Sequence, residues 1–568
     1  MVGTIDPSYA DKTTGLCADC TTFILARNRN GVCAMPVGLL PLVSIIVIFF
    51  VTSTLSFVYQ NCFTVRNRGS MLQQSSDESF AISSERELQR LLSQVKTWCG
   101  LHGLMYTDGD LQWTHAPLGL LPAQYSEEAF EKVCRVQPAL NKLVDRISRD
   151  RDFLTQHLEK VSKADHFTKR LLDLYQGLDS KTITESIQVG ILRSDYMMNL
   201  TEDSEKEDEF LQIEINTIAS SFGCLSQKVG ELHRYLLQRN NGEASFQALW
   251  KMMDYDKSPE QVAQKCPENQ AIAKLALALS FSHHLLARRD AVILFVVQPG
   301  ERNVADQRAL EAQLWQEHDI RVEFMSLAEI AERGKVAENG DFFIQVGNSS
   351  TLQVSVVYYR AGYTPDDYPT EREWDARTLI ERSTAMKCPS VGTHLAGTKK
   401  IQQVLGEEGV LESLGVDADD CLLIRSTFAQ QFSLGPQATS GAEEAVDQAI
   451  ADGSNWVLKP QREGGGNNLY GEELSRFLVE HKGDKALGGY VLMQRIFPRL
   501  APTVFFRNGK TDVFPSISEL GIYGIYVGDG EAPMINDYAG YLLRTKPAGV
   551  DEGGVATGYS VLNSIFTV

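Results

Sequence analysis

Residues 456–470 read Trp-Val-Leu-Lys-Pro-Gln-Arg-Glu-Gly-Gly-Gly-Asn-Asn-Leu-Tyr. The three consecutive glycines, Gly464, Gly465 and Gly466, carry no Cβ, so their backbone N–H groups can close on phosphate oxygens. Lys459, five residues before them, offers a compact positive charge. Glu463, immediately before them, offers a hard oxygen to a divalent cation. The apolar run 456–458 predicts a strand leading into this loop. Such a set suits the phosphates of a nucleotide. It is not a P-loop, because Gly509-Lys510-Thr511 lacks the upstream glycine, and the glycine block differs from a spaced dinucleotide fingerprint.

A second set lies at Gln212-Ile-Glu-Ile-Asn216. Alternation along a strand sends Gln212, Glu214 and Asn216 to one face, and Ile213 and Ile215 to the other. A carboxylate and an amide oxygen at this spacing can share one hard cation at ~2.1 Å. Glu214, Asn216 and Glu463 together make a candidate Mg²⁺ set drawn from two distant segments. By spacing alone the first two would equally suit a solvated strand face.

The block 459–473, KPQREGGGNNLYGEE, resembles the glycine-rich loop of the eukaryotic glutathione synthetases, which are ATP-grasp ligases. Further blocks resemble the family in the family's order: LQIEINTI (211–218), ERNVADQR (301–308), VVYYRAGY (356–363), AMKCP (385–389), LAGTKK (395–400), SELGIYGIYV (518–527) and LLRTK (542–546). The resemblance runs from Glu85 to Val568 and includes nothing before Met71. It implies an α/β ATP-grasp fold with an inserted small α/β substrate-binding domain. The implied activity is ATP-dependent joining of γ-glutamylcysteine and glycine through an acyl phosphate, with Mg²⁺ as cofactor. A homodimer is implied as well.

The resemblance also assigns roles position by position. Lys399 and Lys459 match phosphate-facing lysines, and Gly464, Gly465, Gly466, Asn467 and Asn468 match the backbone cradle. Glu214, Tyr470, Glu519, Lys546 and Glu552 match nucleotide contacts, as does the strand Met493, Gln494, Arg495, Ile496 beside adenine. For the peptide and glycine it implies Arg193, the run Ile218, Ala219, Ser220, Ser221, the run Glu301, Arg302, Asn303, then Gln307. It adds the run Arg360, Ala361, Gly362, Tyr363, and then Arg544, Val555 and Ala556. Arg193, Lys399, Lys459 and Arg544 are the implied catalytic groups. Guanidinium forks suit the substrate carboxylates and Glu301 suits the ammonium. Departures from the family pattern are Gln494-Arg495, Glu552 for an aspartate, Ala219 for a serine and Thr557 for a smaller residue. They motivate two alternatives, a membrane-tethered nucleotide-binding pseudoenzyme and a sister ligase with another small amine acceptor.

These residues need elements to hold them. Residues 80–290 read mainly helical, with helical spacing through 151–176 and 268–287 and a strand only at 210–216. Residues 291–297, 320–325 and 354–359 predict strands and 306–317 a helix. From Lys399 the pattern is helix, strand, glycine loop, helix, then paired strands at 490–496 and 516–526. The predicted organisation is a 1–36 extension, a 37–59 transmembrane candidate, a 60–84 linker, an 85–290 first part of the body, a 291–397 inserted domain, and a 398–568 second part with glycine-rich lids.

Residues 37–59 are 23 residues without a charge. At ~1.5 Å per residue they would span a ~30 Å hydrocarbon core, so a single-pass anchor is expected. Arg27 and Arg29 before it balance Arg66 and Arg68 after it, which leaves orientation undecided. Translation from Met71 would give the ligase body without the anchor. A net charge of −19 argues against a nucleic-acid partner. The ten cysteines form no disulfide framework: Cys99, Cys134, Cys224, Cys266, Cys388 and Cys421 are scattered through the body and read as reduced thiols, while Cys17 and Cys20 make one close pair without the second that a zinc site would need. The catalytic body is therefore expected in the cytoplasm.

Overall fold

A computed structural model describes residues 85–107, 112–200, 209–253, 255–286, 290–347, 350–435, 438–461, 467–550, 553–555 and 558–568. The segment 37–59 lies outside them, and among the described residues no helix is long and apolar enough to cross a membrane. The elements that position the site are, in chain order, strands β1 (Gln188–Asn199) and β2 (Glu209–Asn216), helices α1 (Gly223–Arg239), α2 (Val304–His318) and α3 (Lys399–Leu405), strands β3 (Gln431–Ser433) and β4 (Trp456–Pro460), helix α4 (Gly471–His481), and strands β5 (Tyr490–Gln494), β6 (Lys510–Gly528) and β7 (Pro533–Pro547).

Three sheets carry this mixed α/β fold. The largest has seven strands in the order Ala501–Arg507, Leu118–Gly119, Val561–Asn563, β7, β6, β1, β2. A six-stranded sheet is drawn wholly from residues 292–388, with Val292–Val296, Val322–Met325, Ser350–Tyr359 and Met386–Cys388 paired in parallel. A four-stranded sheet runs β3, β5, β4, Leu469–Tyr470. The predicted strands at 490–496 and 516–526 therefore lie in different sheets. Helix Ala271–Leu285 forms as its spacing predicts, but 151–176 breaks into Arg151–Leu158 and His166–Gln176. Asp165 starts the second of these by accepting from Thr168 N, a cap that interrupts the periodic run.

Strand β1 is the main departure from the sequence reading. It spans twelve residues inside the stretch read as helical, and its first nine are buried. A strand covered on both faces lacks the polar–apolar alternation that would mark it. Its register is decisive for the site. Arg193 pairs with Asn216 of β2 and Tyr523 of β6, and Asp195 pairs with Glu214 and Gly521. Glu519 pairs with Arg544 of β7. Residues opposite one another share a sheet face, as do residues two apart. One face of the largest sheet thus carries Asn216, Glu214, Arg193, Asp195, Glu519, Arg544 and Lys546.

Candidate active site

That face opens into a cavity of about 560 Å³. At one end the wall is apolar. Met493 and Ile496 are buried with Ala429, and Met197, Leu211 and Ile213 pack against them. The N–H groups of Gln494 and Arg495 donate to the carbonyls of Gln430 and Asn455, both at 2.9 Å, which leaves Ile496 as the candidate backbone donor to a bound base. The Arg495 guanidinium lies 5.5 Å from the Tyr470 ring. Asn468 donates to the Tyr470 hydroxyl at 3.3 Å.

Alternation along β2 fails at one point. Tyr196 pairs with Gln212 and Asp195 with Glu214, so Ile213 is an extra residue in the ladder. Ile213 consequently lines the cavity beside Glu214, while Gln212 is buried near the Tyr196 hydroxyl and Ile215 enters the core. The predicted separation of both isoleucines from Glu214 holds for Ile215 only.

Next to the apolar end stand Lys399, Lys459 and Lys546, each less than a tenth exposed. Lys399 begins α3 and donates to Glu214 Oε2 at 2.7 Å. Lys459, on β4, donates to the Ile213 carbonyl at 2.9 Å. Burial opposes ionisation of Glu214, but Lys399, Lys459 and Arg544 outweigh it and hold the carboxyl well below the usual carboxylate range. Lys399 and Lys459 both act on the Glu214 carboxylate, and three desolvated lysines lining one cavity favour an added polyanion.

The far end holds Arg193 and Arg544. Arg193 forms a two-pronged pair with Asp195, Nε to Oδ1 at 2.6 Å and Nη2 to Oδ2 at 2.8 Å. Arg544 donates to the same Oδ2 at 2.9 Å and also to Glu519. Asn216 Nδ2 donates to Asp195 Oδ2 at 3.0 Å, so its amide oxygen is the atom it can offer a cation. Glu214 and Asn216 are thus the two described hard donors; Glu463 lies outside the described residues. Among the described residues no three His, Cys, Asp or Glu side chains converge as a metal set.

Ile218, Ala219, Ser221, Tyr363, Gln494, Arg495, Glu519 and Val555 also line this cavity. Ser220 does not; it is buried, its hydroxyl donating to the Asn216 carbonyl at 3.3 Å. Asn467 instead lines a separate cleft of about 830 Å³ with Lys160, Lys163 and Lys485. Gly464, Gly465, Gly466, Glu552 and Ala556 lie outside the described residues.

Glu301, Asn303, Gln307 and Arg360 form a cluster off the cavity wall. Glu301 accepts from Asn303 N at 2.7 Å and Gln307 Nε2 at 3.3 Å. Arg360 pairs with Asp306 at 3.0 Å, and Asp306 in turn accepts from the N–H groups of Phe222, Cys224 and Leu225 at the start of α1. Both side-chain polar atoms of Asn303 and the Arg360 Nε are buried without a hydrogen-bond partner among the described residues. Arg302 is turned away, 5.3 Å from the Tyr106 ring, donating to the Thr107 carbonyl at 3.4 Å. Ala361 is buried, and Gly362, at φ +93, and Tyr363 each donate a backbone N–H to Asp367.

Sequence reasoning missed Asp195, Ile213, Thr217, Phe222, Ile517 and His394 at this site. The signal for Asp195 was its place two residues from Arg193, usable only once 188–199 is read as a strand. His394 is buried among apolar neighbours, and burial with the Arg377 charge pushes its pKa well below the ordinary value.

Comparison with known proteins gives the chain's family. Residues 85–567 match the family described as eukaryotic glutathione synthase, ATP binding domain. The chain is 37% identical over 535 residues to the chloroplastic glutathione synthetase of Arabidopsis thaliana, covering 90% of this chain and 93% of that protein. It is 40% identical over 492 residues to the chloroplastic enzyme of Solanum lycopersicum, covering 85% and 84%. It is 36% identical over 457 residues to the glutathione synthetase of Homo sapiens, covering 80% and 90%. A solved glutathione synthetase-like effector from Globodera pallida, in apo form, shares the fold with a TM-score of 0.65 and 22% identity over 85% of this chain and 98% of that one. By its sequence along almost its whole described length, this chain belongs to the eukaryotic glutathione synthetase family.

Proposed function

We propose that this chain is an ATP-grasp ligase that makes glutathione from γ-glutamylcysteine and glycine. The observation that carries the reading is one cavity lined by an apolar end, three buried lysines, the buried Arg193 and the partly buried Arg544. ATP places its base against Met493 and Ile496 and its phosphates among Lys399, Lys459 and Lys546. The peptide carboxylate attacks the γ-phosphorus, forming a C–O–P link and releasing ADP. The glycine amine then attacks the acyl carbon, the C–N bond forms, and phosphate leaves as the amine loses its proton. No protein nucleophile is needed; positioning and electrostatic stabilisation carry the rate.

Arg193 stands where charge accumulates on the acyl phosphate, and Arg544 receives a substrate carboxylate. Glu301, Asn303, Gln307 and Arg360 take the peptide's polar ends; their buried partnerless atoms at Asn303 and Arg360 support this, since such atoms destabilise a protein unless something pairs with them. Mg²⁺, held by Glu214, Asn216 and Glu463, would neutralise phosphate charge. A homodimer, a cytoplasmic body and a tether through residues 37–59 belong to the same proposal.

The test is ADP release by the purified chain with ATP, Mg²⁺, γ-glutamylcysteine and glycine, each omitted in turn. Turnover should require all four. ATP hydrolysis indifferent to γ-glutamylcysteine and glycine would reject the reading.

A further inference from the structure

Asp195 is the most enclosed charge at the site, its side chain 0% exposed. Four donors from three strands converge on its two oxygens. Oδ1 accepts from Arg193 Nε at 2.6 Å. Oδ2 accepts from Arg193 Nη2 at 2.8 Å, Arg544 Nη2 at 2.9 Å and Asn216 Nδ2 at 3.0 Å. One carboxylate therefore fixes two guanidinium groups and the rotamer of an amide at once.

The fold makes room for this arrangement. Gly521 of β6 stands opposite Asp195 in the register, and a Cβ there would lie 2.7 Å from both Asp195 Oδ1 and Arg193 Cδ. Real contacts of that kind do not occur, so any side chain at 521 would displace the pair. The charge matters as well as the shape. Arg193 and Arg544 reach the same oxygen, so they are like charges held close together in a buried site, and they repel unless an anion lies between them. Being enclosed, Asp195 has no surface to offer a substrate; it acts through the groups it holds.

We propose that Asp195 is a positioning residue for the ligation: its carboxylate holds Arg193, Arg544 and Asn216 in the single geometry that receives the substrate carboxylates and the cation. The inference rests on the function proposed above. It couples three ligand sites through one group. Loss of Asp195 is then felt by γ-glutamylcysteine, glycine and Mg²⁺ together. The base pocket is spared, because its walls, Met493 of β5 and Ile496 just beyond it with Met197, Leu211 and Ile213 of the largest sheet, are apolar and include none of the four donors that Asp195 holds.

The experiment compares the full-length parent with Asp195→Asn, which keeps the shape and removes the charge. KM for γ-glutamylcysteine, KM for glycine and the half-saturating Mg²⁺ concentration should each rise ~10-fold or more, as expected when charge-assisted bonds and alignment are lost. The Kd of ADP without Mg²⁺ should stay within ~3-fold of the parent, since groups that share no partner with Asp195 act independently of it. A merely structural role would lower the active fraction, and so kcat, with unchanged KM values; that result, or parental constants throughout, overturns the inference. If D195N does not fold, Asp195→Glu, which keeps the charge but moves it by one methylene, is read by the same split: selective KM and Mg²⁺ changes support the inference and parental values overturn it. A parent without γ-glutamylcysteine- and glycine-dependent turnover removes the proposed function and this inference together. An active parent with an unaffected variant removes only the inference.

Discussion

Lys459 reaches the Ile213 carbonyl from β4, bridging the four-stranded sheet to β2 across the cavity. Lys459 is 6% exposed, so its charge is held largely out of water. Lys459→Gln keeps a donor and removes the charge. Turnover at saturating substrates should fall by ~10²-fold, the scale for losing one preorganised charge partner in a transition state. The melting temperature should change little, because removing a desolvated charge is offset by weakening the charges that keep Glu214 ionised; ADP-release kinetics and a thermal scan of the same sample check both. Asn303 gives a complementary case, since among the described residues neither polar atom of its side chain has a partner. A bound peptide that pairs with them stabilises the folded state, by ~2.7 kcal/mol at a hundred times its Kd. Asn303→Leu should abolish the melting shift produced by γ-glutamylcysteine and retain the shift produced by ADP.

At the scale of elements, α1 is tied to the largest sheet by His233. Its ring nitrogens meet Ser564 Oγ at 2.7 Å and the Gly119 carbonyl at 2.8 Å, and burial lowers its pKa from 6.5 to about 4. The folded value lies below the unfolded one, so between them the unfolded chain binds more protons. The stability contribution is therefore intact above pH 6.5 and is lost as pH falls toward about 4. Denaturant melts across that window should show stability falling, and His233→Gln should show a shallower fall from a lower starting stability. His283, lowered to about 4 by burial and by His284, adds to the same slope. The elements also show what was legible beforehand. The strand before the glycine loop, α2 and the 354–359 strand follow from short apolar runs and periodicity, and each is found. Strand β1 was not legible because burial on both faces erases alternation, and with it Asp195 was lost from view. The Ile213 bulge was equally hidden, since a ladder irregularity is set by the partner strand and leaves no mark on spacing. Candidate residues inside motifs were reached one at a time; their convergence on one sheet face needed the register.

At the scale of the whole molecule, every candidate site residue lies between Arg193 and Ala556, and the family match begins at residue 85. The described unit likewise starts beyond the first eighty residues. Its first helix, Glu85–His102, is not peripheral. Leu91, Leu92, Val95, Trp98 and Cys99 are all buried in the largest hydrophobic core, and Gln94 donates to the Tyr235 hydroxyl at 2.8 Å. Two truncations should consequently behave in opposite ways. A chain beginning at Met71 keeps that helix and should retain kcat and every KM within ~2-fold, since nothing in the active-site geometry is altered. A chain beginning at residue 104 strips five side chains from the core, each worth ~1.5–3 kcal/mol of burial. That total is comparable to the ~5–15 kcal/mol by which such bodies are normally stable, so this chain should lack a cooperative unfolding transition. Flotation with lipid vesicles then separates the remaining question from catalysis. The uncharged run 37–59 should carry the full-length chain to the top of the gradient, while the chain from Met71 should stay below with its activity intact. If both chains stay below, the tether is withdrawn and the ligase reading is unaffected, because no residue of the site depends on it.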